Sequence, residues 1–500
     1  MGAIRNCRCA VWVVIVTALF VWSLAYGEDS GLASSRISKE RLEQYSDLAQ
    51  DWMQQYLRVD TTNPPGNEMR AVEFFKKILD QEGIENRVFE IAPGRGDLWA
   101  RIPANADRDA HPVANDTTRV GQPSSSQKAR PIILLNHMDV VTSDASHWKV
   151  PPFSGEVRDG YIWGRGAQDM KDEGLAQLVV MVMLKREKVT LDRDVIFLAV
   201  ADEEAQGTGT DWFIKNQRDL LENAEFLINE GGENLLENGK VKYVGVDVGE
   251  KTSYWLHVVA HGRPGHGSRP NPDSAPNRLV HALNKIVAYK TPLRVLPVVD
   301  EFLHEMAPYE PPNEVAYYRN IRKAIQDKNF QERVEHDESL NFLLRDTISL
   351  TMLGGSEQTN VIPPEAWANL DVRILPGGDP KAVLETLRRV VNDPDVTIEP
   401  LEKEFRVANY SGTDNALFAA IREASAKYFP GTPVVPHITS GYTENQRYRP
   451  LGIVAYGFDP YTATEEEGST EHGNDERIRV EEVRRGPRIL FDVVVKVARE

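Results

Sequence analysis

Three short apolar runs, each followed by acidic or histidine side chains, constrain the fold of this sequence more than any other feature. The runs are residues 132–135 (IILL), 195–201 (VIFLAVA) and 226–228 (FLI). Helix-like stretches over 170–187 and 210–221 separate them. Alternation of buried strands with helices favours a parallel sheet that is covered by helices on both faces. We therefore predict an α/β fold built on a mostly parallel sheet.

The side chains that follow the three runs predict a functional site. Ligands bind beyond the carboxyl ends of the strands in an open parallel sheet. We therefore expect one edge of the sheet to carry the acids and histidine that follow the runs, namely His137, Asp139, Asp202, Glu203, Glu204 and Glu230. A further acid, Asp169, ends the turn 164–169 that opens a helix.

Crowded carboxylates repel one another, and a divalent metal ion removes that repulsion. The only cysteines, Cys7 and Cys9, lie in the N-terminal segment, so the ligands would be histidine and carboxylate. Such ligands suit zinc, and cobalt or manganese would fit as well. Two ions that share a bridging carboxylate form a common hydrolytic centre.

Local spacing suggests roles within this cluster. His137 and Asp139 face the same way on an extended backbone, so Asp139 can accept a hydrogen bond from the imidazole nitrogen that does not bind metal. Glu203 and Glu204 are neighbours that point apart. That geometry suits one metal ligand and one general base.

Composition restricts the class of protein. The 500 residues are 41% hydrophobic and 27% charged, as in soluble enzymes with two or three domains. A net charge of −17 gives no indication of an electrostatic nucleic-acid binder, which would need a basic face. Residues 1–27 have a basic start, an apolar stretch over 10–24 and small residues near 25–27, which predicts a signal peptide or a retained anchor. We expect an exported protein, periplasmic or secreted, with membrane attachment only if this segment is retained.

Beyond residue 248 the pattern changes from that of the first domain segment, 38–248. Alternating strand patterns at 253–260, 346–353 and 366–373 predict an inserted α+β domain over 249–373. The α/β pattern resumes over 374–500, beginning with a helix near 379–392. The polar stretch 104–130 is predicted to be a surface loop.

Six motifs, in this order, resemble the M20 metallopeptidase family of carboxypeptidases and N-acyl amino acid deacylases. They are His137-Met138-Asp139-Val140-Val141, Gly164-Arg165-Gly166-Ala167-Gln168-Asp169-Met170-Lys171, Asp202-Glu203-Glu204, Asn229-Glu230-Gly231-Gly232, Gly265-His266-Gly267-Ser268 and Glu471-His472-Gly473. The resemblance covers about residues 40–500 and implies a zinc exopeptidase-like catalytic domain with an inserted lid and dimerisation domain.

Carried onto this sequence, the resemblance implies two zinc ions bridged by Asp169. His137 and Glu230 would complete one ion site, and Glu204 and His472 the other. Glu203 would be the general base, and Asp139 would orient His137. His266 would stabilise the oxyanion, often from the second subunit of a homodimer, and the lid residues Arg373 and Asn360 would contact the substrate.

The predicted function is zinc-dependent hydrolysis of an amide bond in a peptide or N-acyl amino acid with a free carboxylate. The choice between dipeptides and N-acyl amino acids stays open, because residues 440–447 depart from the family pattern in a substrate-recognition loop. The alternatives are a dinuclear zinc aminopeptidase of the M28 type, a non-catalytic binding protein on the same fold, and a phosphoesterase. No phosphate-cradling loop is apparent for the last of these.

Overall fold

The computed structural model describes residues 32–105, 129–402, 407–439 and 441–499. The predicted signal or anchor segment and nearly all of the predicted loop at 104–130 lie outside these ranges. Every helix within the described ranges is too short or too polar to cross a bilayer.

An eight-stranded sheet forms the centre of the larger part of the molecule. Its four middle strands run parallel through three consecutive pairs, and an antiparallel hairpin borders them on one side. The result confirms the predicted α/β class. In spatial order the strands are Glu85–Ala92, Arg95–Ile102, Arg193–Val200, Ala129–His137, Phe226–Asn229, Val454–Gly457, Val244–Glu250 and Val434–Thr439.

Helices cover both faces of this sheet. Successive strand side chains point to opposite faces, so an apolar run places apolar side chains on each face. Ile132 and Leu134 enter one hydrophobic core, whereas Ile133 and Leu135 enter a second core on the other face. Such burial on both faces explains why the run IILL is continuously apolar. The helices of this part are Lys39–Leu57, Met69–Gln81, Lys171–Arg186, Thr208–Asn216, Ala416–Tyr428, Asn445–Tyr448, Glu465–Gly468 and Val480–Ala498.

A second, antiparallel sheet of four strands has its own core. The helices Ala275–Ala288 and Pro380–Val391 pack on it. In spatial order its strands are Thr347–Gly354, Glu365–Ile374, Thr252–His261 and Val396–Pro400.

The boundaries of this smaller part differ from the predicted segment 249–373. Strand Val396–Pro400 pairs with Thr252–His261, so the smaller part continues past residue 373. The amphipathic pattern of helix Pro380–Val391 shows one buried face but not which sheet that face covers.

A helical stretch within the predicted insertion packs on the larger sheet and not on the smaller one. Val298, Val299 and Leu303 enter the core of the larger sheet, and their helix contacts its edge strand Val434–Thr439. The helices of this stretch are Pro297–Met306, Val315–Tyr318, Ile321–Ala324, Lys328–His336 and Glu338–Leu344. The remaining strands are short and pair as Gly265–His266 with Val361–Ile362, Leu236–Glu237 with Lys240–Val241, and Tyr161–Trp163 between Glu156–Arg158 and Arg477–Arg479.

Candidate metal centre

The carboxyl ends of three parallel strands bring the predicted acids and histidine together. His137 is the last residue of its strand, Glu203 and Glu204 follow strand Arg193–Val200, and Glu230 follows strand Phe226–Asn229. Asp169 reaches the same edge from the turn that precedes helix Lys171–Arg186. The strand-end argument therefore located the cluster.

Asp169 lies between two histidines and presents one carboxylate oxygen to each. Its Oδ1 is 3.0 Å from His137 Nε2, and its Oδ2 is 2.6 Å from His472 Nε2. Glu230 Oε2 lies 3.2 Å from the first of these nitrogens, and Glu204 Oε2 lies 3.3 Å from the second. The five side chains thus form two groups that share one carboxylate.

Glu203 and Asp139 lie beside these two groups. Ligand atoms of Glu203, His137 and Glu230 all lie within 4.8 Å of one another. The carboxylate of Asp139 accepts hydrogen bonds from the backbone N–H of Glu203 at 3.1 Å and of Glu204 at 3.2 Å. His137 Nδ1 is 3.1 Å from the Asp139 backbone carbonyl and 3.6 Å from its carboxylate.

Electrostatics make this cluster unfavourable without a cation. Burial raises the pKa of Glu203 well above its usual range, and Glu230 and Glu444 add to the effect. Burial also raises the pKa of Glu230 to about 8. Glu204 Oε1 and Glu230 Oε1 are buried and find no hydrogen-bond donor among the described residues. A divalent ion in each group would satisfy these oxygens, so the residues fit a dinuclear centre.

The loop that carries His472 is held against the turn of Asp169 by a buried ion pair. Arg165 Nη1 is 2.5 Å from Glu476 Oε2, and its Nη2 donates to the Gly473 carbonyl at 2.7 Å. Glu476 in turn accepts from the backbone N–H of Gly166 at 3.0 Å and of Gln168 at 2.8 Å. Asp169 and His472 come from segments that are distant in the sequence, and these contacts hold the two segments together.

Three predicted residues lie away from this cluster within one chain. His266 is exposed on the short strand Gly265–His266, and its Nδ1 accepts from the Ser268 hydroxyl at 2.8 Å. The Asn360 carbonyl accepts from Gly267 N–H at 2.8 Å, which places Asn360 beside His266. Arg373 pairs with Asp371 at 2.7 Å on the second sheet. None of the three is among the described residues that line the cavity over the cluster.

That cavity has a volume of about 610 Å³ and extends beyond the metal centre. Gly441, Tyr442 and Thr443 line it, whereas Glu444 and Arg447 of the same loop are buried behind it. Arg447 pairs with Asp211 at 2.9 Å. Among the described residues of the segment 440–447, those that face the cavity are therefore 441–443.

Sequence reasoning missed several acids and one amide near the cavity. Asp459 follows strand Val454–Gly457, so the same strand-end rule could have found it. Asp172 and Glu173 follow the turn of Asp169 directly. Asn63, in a Pro-rich turn without any such signal, donates to the Asp139 carboxylate at 2.8 Å and to Asp202 at 2.9 Å.

Comparison with known sequences assigns the family. The sequence model of the peptidase family M20/M25/M40 matches residues 133–496. The chain belongs to this family. As a member of a peptidase family, it is a hydrolase that acts on amide bonds, and the assignment removes the alternative of an M28-type aminopeptidase.

Curated relatives and solved structures agree with this assignment. The N-fatty-acyl-amino acid synthase/hydrolase PM20D1 of Homo sapiens is 28% identical over 381 residues, which cover 74% of this chain and 74% of that protein. Aminoacylase-1 of Homo sapiens is 27% identical over 430 residues, which cover 85% of this chain and 89% of that protein.

Two solved structures share the fold at low sequence identity. The M20 family metallo-carboxypeptidase Sso-CP2 of Sulfolobus solfataricus has a TM-score of 0.62 at 19% identity, covering 89% of this chain and 98% of its own. The YXEP protein of Bacillus subtilis, described as a dinuclear metal binding peptidase, has a TM-score of 0.56 at 12% identity, covering 91% and 99%.

Proposed function

We propose that this protein hydrolyses the amide bond of a peptide or N-acyl amino acid with a free carboxylate, using two divalent metal ions. His137, Asp169 and Glu230 would hold one ion, and Asp169, Glu204 and His472 the other. The carrying observation is the position of Asp169, which presents one oxygen to each histidine. Zinc is the first candidate, because the ligands are histidine and carboxylate, and cobalt or manganese are the alternatives.

Glu203 would act as the general base. When bound, the ions would polarise the amide carbonyl and lower the pKa of water. Glu203 borders the first ligand group, where its carboxylate can accept a proton from water and return it to the leaving amine. Asp139 would position Glu203 and Glu204 through their backbone N–H groups, and His137 through its own carbonyl.

The substrate class rests on the relatives and on the residues outside the cavity. Aminoacylase-1 and PM20D1 are named for N-acyl amino acid chemistry, and Sso-CP2 for carboxypeptidase chemistry. Arg373 would bind the substrate carboxylate through its guanidinium fork, and Asn360 would contact the substrate nearby. His266 would donate to the oxyanion.

Because these three residues lie away from the cavity of their own chain, we propose that they act across a homodimer. Strand Thr347–Gly354 lies at the edge of the second sheet and exposes Leu350, Met352 and Leu353. Val280 and Val287, seven residues apart on helix Ala275–Ala288, are also exposed. An unpaired edge strand beside exposed apolar side chains is suited to pairing with a second copy.

A hydrolysis screen tests the proposed reaction. Protein loaded with zinc, cobalt or manganese is offered dipeptides and acetylated, succinylated and long-chain N-acyl amino acids, with mass-spectrometric detection. We expect cleavage that needs the free substrate carboxylate, stops on chelation and returns on metal addition. Hydrolysis that persists after chelation, or the lack of any cleavage by protein with two ions bound, would contradict the proposal.

A further inference from the structure

The cavity carries more negative charge than a dinuclear centre needs. Besides Asp169, Glu203, Glu204 and Glu230, seven acids line it, and neither lysine nor arginine does so among the described residues. His437 lines it too, but its Nδ1 already pairs with Asp247 at 2.7 Å. The seven acids are Asp172, Glu173, Glu233, Asp247, Asp459, Glu465 and Glu471.

Two of these acids are buried at the start of helix Lys171–Arg186. Asp172 is 2% exposed and Glu173 is 5% exposed. Asp172 Oδ1 is fully buried and finds no hydrogen-bond donor within the described part of the chain. An unpaired buried carboxylate oxygen is costly to retain, so it points to a cationic or donor-bearing ligand.

Asp459 lines the same cavity and is linked to Asp172 through Tyr461. It follows strand Val454–Gly457, and its Oδ1 accepts from Tyr461 N–H at 2.7 Å. The Tyr461 hydroxyl donates to the Asp172 carbonyl at 2.8 Å. Burial raises the pKa of Asp172 and of Glu173 well above the usual range, and the charge of Asp459 raises both further.

Neighbouring basic residues are engaged elsewhere. Lys171 Nζ donates to the Val59 carbonyl at 2.6 Å. Arg485, which acts on Asp459 electrostatically, pairs with Glu482 at 2.6 Å and does not line the cavity. The three acids are therefore not neutralised by a lysine or arginine in the cavity.

The arrangement favours an organic cation over a third metal ion. Within the described residues, the compact three-ligand groups consist of His137, Asp169, Glu203, Glu204 and Glu230, and neither group includes Asp172, Glu173 or Asp459. A metal ion requires ligand atoms around one point. An ammonium or guanidinium group carries several donors on a larger body and can serve acids that are farther apart.

We propose that Asp172, Glu173 and Asp459 form an acidic pocket that binds a primary ammonium or guanidinium group of the amide substrate. The inference rests on the proposed function and narrows its substrate class to amides with a basic side chain or a free amine. The three acids line the same cavity as Glu203 and the proposed metal ligands.

Matched substrates test the pocket. Lysine and norleucine side chains differ in charge but little in shape. Nα-acetyl-lysine is therefore compared with Nα-acetyl-norleucine. A second series uses dipeptides in which lysine or norleucine stands on either side of the amide. We expect a preference in kcat/KM for the cationic member of at least about tenfold on one side. Glu173→Gln and Asp459→Asn should reduce this preference to below about threefold. Glu465→Gln, which removes the same charge at the exposed rim, should retain it.

Direct binding separates the two proposals. Calorimetric titration of n-butylammonium, with n-butanol as the neutral control, should show binding to the metal-loaded protein that weakens about tenfold in Glu173→Gln. Hydrolysis without any charge preference, or no n-butylammonium binding, would overturn the pocket while leaving the proposed function intact. Binding without hydrolysis of any amide would support the pocket and reject the proposed function. Three bound metal ions in the wild type and two in Glu173→Gln would overturn the pocket in favour of a third ion site.

Discussion

Among single residues, the ligand candidate His472 has an unusual backbone conformation. Its φ of 55° lies in the left-handed region, which a residue with a Cβ occupies at a cost. Arg165 Nη2 donates to two successive backbone carbonyls, that of His472 at 3.3 Å and that of Gly473 at 2.7 Å. Those contacts stabilise the conformation that turns the imidazole toward Asp169.

Replacement of Glu203 tests its proposed role as general base. In Glu203→Gln we expect turnover to fall by about 10²–10⁴-fold, because the amide cannot accept the proton. We expect both metal ions to remain, since the proposed ligands are unchanged. Metal content is measured by mass spectrometry beside kcat, and loss of an ion in this variant would contradict the assignment.

The raised pKa of the buried Asp97 carboxyl predicts that the free energy of unfolding depends on pH, separately from catalysis. Burial raises the pKa of Asp97 to about 8, against an ordinary value of 3.8, and its Oδ2 finds no partner among the described residues. The folded state thus keeps a proton that the unfolded chain has lost. The contribution to stability is full below about pH 4 and is lost as the pH rises toward 8.

The variant Asp97→Asn removes this titration, and its Oδ1 can still accept the hydrogen bond that Ala201 N–H donates at 3.0 Å. Between pH 5.5 and 8 we expect the wild type to lose on the order of 3 kcal/mol more unfolding free energy than the variant. Urea unfolding at both pH values measures this difference. Equal losses in the two proteins would show that Asp97 is ionised in the folded state.

At the scale of elements, the site depends on the contact between the turn 164–169 and the loop 470–476. Gly166 has a φ of 84°, and a Cβ there would lie 2.7 Å from Val140 Cγ1, so this close turn requires glycine. The Arg165–Glu476 pair is buried in the contact, and Trp148 packs over the guanidinium at 5.3 Å.

Removal of Arg165 should therefore weaken both the fold and metal binding. In Arg165→Met we expect a loss of about 3–5 kcal/mol in unfolding free energy, because Glu476 becomes a buried unpaired charge. Weaker binding of one metal ion than of the other should accompany it, as His472 loses its support. The double variant Arg165→Met/Glu476→Gln should recover part of the stability but not the metal affinity. Unchanged affinity in both variants would limit the pair to a structural role.

At the scale of the whole molecule, the proposed dimer would bring His266 to a cavity from which it is separated within one chain. Glu203→Gln and His266→Ala should each be nearly inactive alone. If His266 acts across the dimer, a heterodimer of the two variants contains one intact site. An equimolar mixture of the two variants, once its subunits have exchanged, should then restore about one quarter of wild-type activity. Failure to restore activity in a mixture with demonstrated exchange would place the action of His266 within its own chain.

An interface variant provides the control for this experiment. Leu353→Glu introduces a charge on the exposed edge strand Thr347–Gly354 and should yield monomers with activity as low as that of His266→Ala. Val157→Glu places the same charge on an exposed strand of the larger part and should leave the dimer intact. Sedimentation velocity measures the oligomeric state of each variant.

The apolar runs alone predict three of the eight strands of the larger sheet and the edge at which the acids gather. That inference is local, because a buried strand is recognised from its own apolar run and the carboxyl ends of neighbouring parallel strands meet at one edge. The family motifs added His472, which strand patterns alone do not indicate. Asp459 obeys the same local rule and could have been predicted.

The tertiary structure shows which distant segments meet. It assigned strand Val396–Pro400 to the second sheet and packed helix Pro297–Met306 on the larger one, because an amphipathic face shows that an element is buried but not against which core. It also separated His266 from the cavity and joined Asp172 and Glu173 to Asp459. These relations depend on how complete elements pack, which no short stretch of sequence encodes.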